Sequence, residues 1–200
     1  MLLERRMTRN PITISPELRA VDALELMKKE RVRRFPVLDL KKNLVGLLCE
    51  RDLLKVPSLT EYLVKDLMTT EIVTVDRQTP CEDAARIMLD QEISTLPVMD
   101  NGRLVGLITK SDLFNIILEL FGARHFGVRV ECIVENRPGA LASITHSIAL
   151  MGWDIISVGT FQGNDPSSAL CIIKVEGCMP DELKEVLEGH CREILDIRES

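Results

Sequence analysis

About residues 7–56 of this 200-residue chain recur as about residues 68–118, and this duplication limits what the chain can fold into more than any other feature. A slide of 61 brings Met7-Thr8 onto Met68-Thr69, Thr13 onto Thr74, Asp22-Ala23 onto Asp83-Ala84 and Met27 onto Met88. It also brings Pro36-Val37 onto Pro97-Val98 and Asp39 onto Asp100. One residue is then lost in a turn. A slide of 60 brings Leu44-Val45-Gly46-Leu47 onto Leu104-Val105-Gly106-Leu107 and Asp52-Leu53 onto Asp112-Leu113.

Each copy reads as strand, helix, strand, strand, helix. The β-branched runs Ile12-Thr13-Ile14 and Ile72-Val73-Thr74-Val75 predict short strands. Ala20, Leu24 and Met27 recur at helical spacing, as do Cys81, Ala85 and Met88, so each set makes one helix face. Thr79, Pro80 and Glu82 read as cap, first helical residue and acidic first turn. Phe35–Leu38 and Leu96–Met99 predict the next strands, and Pro there favours a strand start or an edge. Asn101-Gly102 is a hairpin turn, with Lys41-Lys42-Asn43 in its place in the first copy. Neither half can bury both faces of so small a sheet. The two are expected to pack about a pseudo-twofold axis, leaving two related clefts between them.

Composition narrows the function classes. The chain is 46% hydrophobic and 28% charged, with a net charge of −6, which argues against general attraction to nucleic acid. Its densest positive spot is Arg31, Arg33 and Arg34. No secretory signal opens the chain, and no apolar run approaches the ~18–20 residues of a membrane helix. The six cysteines and three histidines show no metal-ligand spacing, so no metal site is expected. Several cysteines lie inside apolar strand patterns, which reads as reduced thiols in a cytoplasmic protein.

The doubled pattern Met-Thr, Pro-Val-hydrophobic-Asp and Gly-h-h-x-x-x-Asp (h, hydrophobic) resembles a tandem pair of CBS domains over residues 1–122. That resemblance implies a pair that binds adenosine-containing ligands such as AMP, ATP or S-adenosylmethionine. In the family motif Gly-h-h-Thr/Ser-x-x-Asp, the Asp takes the ribose hydroxyls and the Thr or Ser contacts phosphate. The second copy carries it in full as Gly106-Leu107-Ile108-Thr109-Lys110-Ser111-Asp112. The chemistry is sensible, since a carboxylate accepts two hydrogen bonds from a cis-diol and a hydroxyl beside a helix N-terminus suits a phosphate oxygen. The first copy departs from the motif. It reads Gly46-Leu47-Leu48-Cys49-Glu50-Arg51-Asp52, with a thiol where the hydroxyl belongs and an added acid. Arg33 and Arg34 stand where basic residues of the family reach phosphates across the cleft, and Ser94 and Thr95 take their places in the second copy. The implied nucleotide-binding set is therefore Thr109, Ser111, Asp112, Arg33 and Arg34 with Asp52, Thr13 and Thr74, and the two clefts should differ in charge. A plainer alternative stands beside it: Thr-x-x-Asp is also a helix cap, and Arg33 and Arg34 could simply occupy a solvated turn.

After Gly122 the pattern changes. Val128–Val134 alternates as a strand, Pro138 is predicted to start a helix with Leu141, Ile144, Ile148 and Met151 as its apolar stripe, and Gly152 ends it. Strands are expected at Asp154–Phe161, Ala169–Val175 and Ile194–Ile197, with a second helix at Pro180–Leu187. The order βαββαβ is ferredoxin-like. With its turn Asn136-Arg137-Pro138-Gly139-Ala140-Leu141, the segment 126–200 resembles an ACT domain. That likeness implies an amino acid or other small ligand held at Asn136, Gly139, Ala140 and Leu141. The alternative is that these residues only shape a tight turn. Leu170–Ile173 is apolar on both faces, so the side away from the helices is expected to meet a second subunit of a homodimer.

The whole chain is thus read as α+β. The order CBS–CBS–ACT resembles the acetoin-utilisation protein B family, which implies regulation of carbon metabolism. The leading expectation is a non-catalytic regulator without a cofactor that senses an adenine nucleotide in the CBS cleft and a second small metabolite in the ACT-like segment, and acts on an unidentified protein target. A scaffold with vestigial sites is the alternative. An enzyme is disfavoured, because no P-loop, G-x-G-x-x-G or H-E-x-x-H is present.

Overall fold

Pro36 and Pro97 explain why the first strand of each repeat is shorter than its β-branched run. In the computed structural model, which describes all 200 residues, Ile14 forms only an isolated parallel bridge to Val37, donating to the Pro36 carbonyl and accepting from Leu38. Extending that ladder by one step would need an N–H from Pro36, which has none. The second copy repeats the pattern: its strand is Val75–Asp76, with Val75 paired to Val98 next to Pro97.

The chain divides into two compact units, Met1–Leu113 and Phe114–Ser200. The first contains β1 (Thr8–Arg9), α1 (Ala20–Glu30), β2 (Arg34–Leu38), β3 (Leu44–Cys49), α2 (Glu50–Leu53) and α3 (Val64–Leu67). It continues with β4 (Val75–Asp76), α4 (Cys81–Asp90), β5 (Thr95–Asp100) and β6 (Arg103–Thr109), and ends inside α5 (Lys110–Leu120). The two hairpins match residue for residue. Phe35 faces Leu48 as Leu96 faces Ile108, and each hairpin shifts register just after the repeated valine, Val37 or Val98. Left-handed backbone at Lys42 in one turn, and at Asn101 and Gly102 in the other, reverses the chain.

The halves are interlocked. Thr8 and Arg9 pair with Leu107 and Gly106 of the second repeat, while Thr69 exchanges both backbone hydrogen bonds with Leu47 of the first. Leu3 and Val64, one repeat apart, are both wholly buried. The N-terminal arm also corrects a predicted boundary. Helix α4 begins at Cys81 with an extended Pro80 as its cap residue, rather than with Thr79 capping and Pro80 inside, because the carbonyl of Met1 takes the Cys81 N–H at 2.8 Å. Phe35, Leu48, Leu96 and Ile108 are fully buried, each contributing about 1.5–3 kcal/mol.

The second unit contains β7 (Val128–Glu135), α6 (Ala140–Leu150), β8 (Asp154–Gln162), β9 (Ser168–Glu176), α7 (Pro180–Glu188) and β10 (Glu193–Glu199). The strands form one antiparallel sheet in the order β10-β7-β9-β8. Alternation sends Val130, Cys132, Ile173 and Val175 to one face, where Ile144, Ile148, Leu183 and Leu187 from the helices close the core. Helix α6 starts at Ala140, not at Pro138, because Gly139 sits at φ 88°, a left-handed conformation that cannot continue a helix. Of its expected apolar stripe, Ile144 and Ile148 are buried, while Leu141 and Met151 at the two ends stay exposed. All six cysteines are free thiols.

Candidate functional site

The duplication produces two cavities built from equivalent positions. The first, about 520 Å³, gathers Thr8, Asn10 and Ile12 and the Arg31–Arg34 turn of repeat one with Leu107, Thr109 and Ser111 of repeat two. The second, about 300 Å³, gathers Thr69, Glu71 and Val73 and the Glu92–Thr95 turn with Leu47, Cys49, Arg51, Asp52 and Lys55. Residues far apart in sequence meet there because each repeat's leading segment pairs with the other repeat's hairpin.

The cavities differ in charge. Arg31, Arg33 and Arg34 line the first with no carboxylate among its wall residues. In the second, Asp52, Glu71 and Glu92 outnumber Arg51 and Lys55. An anionic ligand is favoured in the first and disfavoured in the second.

Thr109 and Asp112 bind each other reciprocally at the start of α5. Asp112 Oδ2 accepts from the Thr109 N–H at 2.8 Å and from its hydroxyl at 2.7 Å, while Thr109 Oγ1 accepts the Asp112 N–H at 3.2 Å. The capping alternative is therefore realised, and it leaves Asp112 Oδ1 unengaged by these bonds. In the first copy the equivalent carboxylate is fully used. Asp52 Oδ2 accepts the Cys49 N–H at 2.9 Å, and Oδ1 accepts from Lys55 Nζ at 2.7 Å. Asp52 is buried, and the Lys55 ammonium is pushed up by its hydrogen bond to that carboxylate. Burial, helped by Asp52, raises the Cys49 thiol, so it is a poor stand-in for a hydroxyl donor to phosphate.

Arg34 connects the two cavities. It lines the first, yet its guanidinium donates to the Ser94 carbonyl at 3.3 Å and the Ser94 hydroxyl at 3.0 Å on the wall of the second. Arg33 is largely exposed, 3.8 Å from Glu50. Thr13 and Thr74 line neither cavity; Thr13 is half-buried and Thr74 exposed. Sequence reading missed Arg31, Thr8, Asn10 and Lys55. The repeat offset pairs Thr8 with Thr69 but carries no sign that both become cavity walls. Thr95, which stands in the place of Arg34 in the second copy, is a buried cavity residue whose hydroxyl has no hydrogen-bond partner.

In the second unit, Asn136, Gly139, Ala140 and Leu141 all line one cavity of about 680 Å³, facing Thr160, Phe161 and Asp165. Asn136 Nδ2 is committed to the Pro166 carbonyl at 3.0 Å, which pins the facing loop. Arg137 pairs with Glu135. No group of three His, Cys, Asp or Glu side chains is placed to hold a metal ion, and no helix is long and apolar enough to cross a membrane.

The CBS domain family matches the chain twice, over residues 3–58 and 64–119. Among curated proteins, inosine-5'-monophosphate dehydrogenase of Staphylococcus aureus is 38% identical over 111 residues, 54% of this chain. The chain spans only 22% of that protein's length. A crystal structure described as an acetoin utilization protein (AcuB) from Vibrio cholerae superposes with TM-score 0.56 at 33% identity, covering 62% of this chain and 95% of that one. CBSX2 in complex with AMP superposes with TM-score 0.53 at 33% identity over 58% of this chain and 96% of its own. The CBS domain pair of protein MJ0100, in complex with 5'-methylthioadenosine and S-adenosyl-L-methionine, superposes with TM-score 0.56 at 25% identity, over 62% and 98%.

Proposed function

Since this chain belongs to the CBS domain family, carrying two copies of the domain, we propose that it is a non-catalytic regulator that senses an adenine nucleotide in the cavity between Arg31–Arg34 and Thr109 and Ser111, with Asp112 in the first turn of α5. One observation carries this reading: Arg31, Arg33 and Arg34 of one repeat line the same cavity as Thr109 and Ser111 of the other. Phosphate oxygens would sit between them at the start of α5, and the unengaged Oδ1 of Asp112 would take the ribose hydroxyls. A volume of about 520 Å³ suits a ligand of that size. The AMP and S-adenosylmethionine complexes of similar CBS proteins support the ligand class. Asp52 takes a lesser part, because Lys55 already occupies its outer oxygen.

We extend the reading to the second unit as an ACT-type domain that holds an amino acid or similar metabolite at Asn136, Gly139, Ala140 and Leu141, on the support of its βαββαβ order and the shared cavity. A homodimer would couple the ligands by their differential affinity for two arrangements. A role in carbon metabolism rests on likeness to the acetoin utilization protein, and a cytoplasmic place rests on the cysteines lying inside apolar strand patterns.

Calorimetry and thermal shift with AMP, ATP and S-adenosylmethionine test the core of this proposal. A ligand at 100 times its Kd adds about 2.7 kcal/mol of stability. No heat and no shift with any adenosine compound would overturn it.

A further inference from the structure

Lys174 is the least expected charge in the second unit. It lies on β9, only 4% exposed, on the sheet face opposite the helix-packed core. Its neighbours in register are Arg129 on β7 and Ser157 on β8. Arg129 is already matched, donating to Glu131 at 2.7 Å and to Asp196 at 3.1 Å. Lys174 makes no ion pair or hydrogen bond with another side chain of the protein. The Lys174 stem is buried beside a like-charged cross-strand neighbour, while its ammonium has no side-chain partner in the protein and is not itself fully enclosed, an arrangement in which an arriving anion can meet it.

The surroundings say which anion. Lys174 and Arg129 line a cavity of about 400 Å³ whose other walls are Phe121, Ala123, Ile172 and Ser200. Its lining is mostly apolar, with the Phe121 ring stacked 6.2 Å from Phe161 and so held in place. Only one positive charge is uncompensated. A phosphate dianion would need more donors than Lys174 provides, and a neutral apolar molecule would leave the ammonium unmatched.

We propose that this cavity, distinct from the one at Asn136–Leu141, binds a monocarboxylate with a short apolar body, its carboxylate on Lys174 and its carbons against Phe121 and Ile172. The site does not depend on nucleotide binding in the first unit.

The test uses the full chain with isovalerate as probe and isovaleramide as its uncharged isostere. Isovalerate is expected to give calorimetric binding and to move the Lys174 ε-methylene NMR signal, with isovaleramide doing neither. Lys174→Met is expected to abolish isovalerate binding. The same variant is expected to raise the melting temperature of the protein alone by about 2–4 °C, because an unmatched charge on a buried stem is removed. Lys174→Arg, which keeps the charge, is expected to retain part of the binding. Equal response to isovalerate and isovaleramide, or binding that survives Lys174→Met, overturns the proposal. So does an unmoved Lys174 signal in the unmodified protein, a readout that stands even if the Met variant fails to fold.

Discussion

Met7 of the first repeat lays its sulfur over Gly106 of the second, and a side chain on Gly106 would overlap it. One repeat away, Met68 covers Gly46 in the same manner. Each glycine also lies in the hairpin strand that receives the other repeat's leading segment, so these contacts key the two halves together. Gly106→Ala is expected to lose roughly 1–3 kcal/mol by overpacking, read as a lower denaturant midpoint at unchanged slope. Adding Met7→Ala should recover part of that loss, because the two sites are in contact and not additive. Strict additivity of the two changes would show that the overlap is relieved elsewhere.

Asp112 has two duties that separate experimentally. Asp112→Ala removes the helix cap and is expected to lose about 1 kcal/mol of stability without ligand. It should also abolish the nucleotide-induced thermal shift. Asp52→Ala is expected to cost stability too, with a smaller effect on the shift, since Lys55 already occupies that carboxylate. Equal loss of the shift in both variants would refute the difference between the cavities.

Phosphate recognition should scale with ligand charge. Arg33 is exposed and held only by a 3.8 Å ion pair to Glu50, so Arg33→Ala is expected to weaken ATP more than AMP, and AMP more than adenosine, by about three- to tenfold for ATP. The gap should narrow at high salt. A uniform loss across the three ligands would place Arg33 in folding rather than in phosphate binding.

The loop facing Asn136 is acid-sensitive in a defined direction. Hydrogen bonds from the Ser167 and Ser168 hydroxyls and the Ser167 N–H hold the Asp165 carboxyl below its usual value. A lowered folded pKa contributes stability that is present above the unfolded value, about 3.9, and is lost as pH falls through the folded one. The melting-temperature gap between Asp165→Asn and the unmodified protein is therefore expected at pH 7 and should shrink as pH falls below the unfolded carboxyl value. A gap that persists there would trace to loop packing instead.

Thiol chemistry should follow the second unit's packing. The Cys132 S–H donates toward Cys171 and Cys191, which raises its own thiol and lowers theirs. Cys132 and Cys171 are buried and Cys191 is only partly so. Mass spectrometry after brief alkylation is expected to find Cys191 labelled before the other two. Labelling of Cys132 first would contradict this packing.

Much of the architecture is visible in the residues themselves. The alternation of Val128–Val134 becomes β7 with alternate residues buried, and the helical spacing of Ala20 and Met27 becomes the buried face of α1. Such patterns are legible because one buried face requires a fixed period. Errors gathered at element ends. Pro80 and Pro138 look like helix starts, yet the Cys81 N–H that opens α4 donates to the Met1 carbonyl, and Gly139 turns the chain left-handed before α6. Those outcomes depend on backbone partners and dihedrals that no local pattern specifies.

The repeat offset, the Thr109/Cys49 contrast and the placing of three arginines in only one copy are properties of the sequence alone, and together they carry the unequal character of the two cavities. Tertiary structure alone decided that Met7 and Thr8 serve the second half, that Arg34 reaches Ser94, and that Lys55 occupies Asp52. It alone left Lys174 buried without a counter-charge. The reason is physical: periodicity reports which face of an element is buried, whereas charge matching and strand exchange depend on which distant side chains the folded backbone brings within a few ångströms.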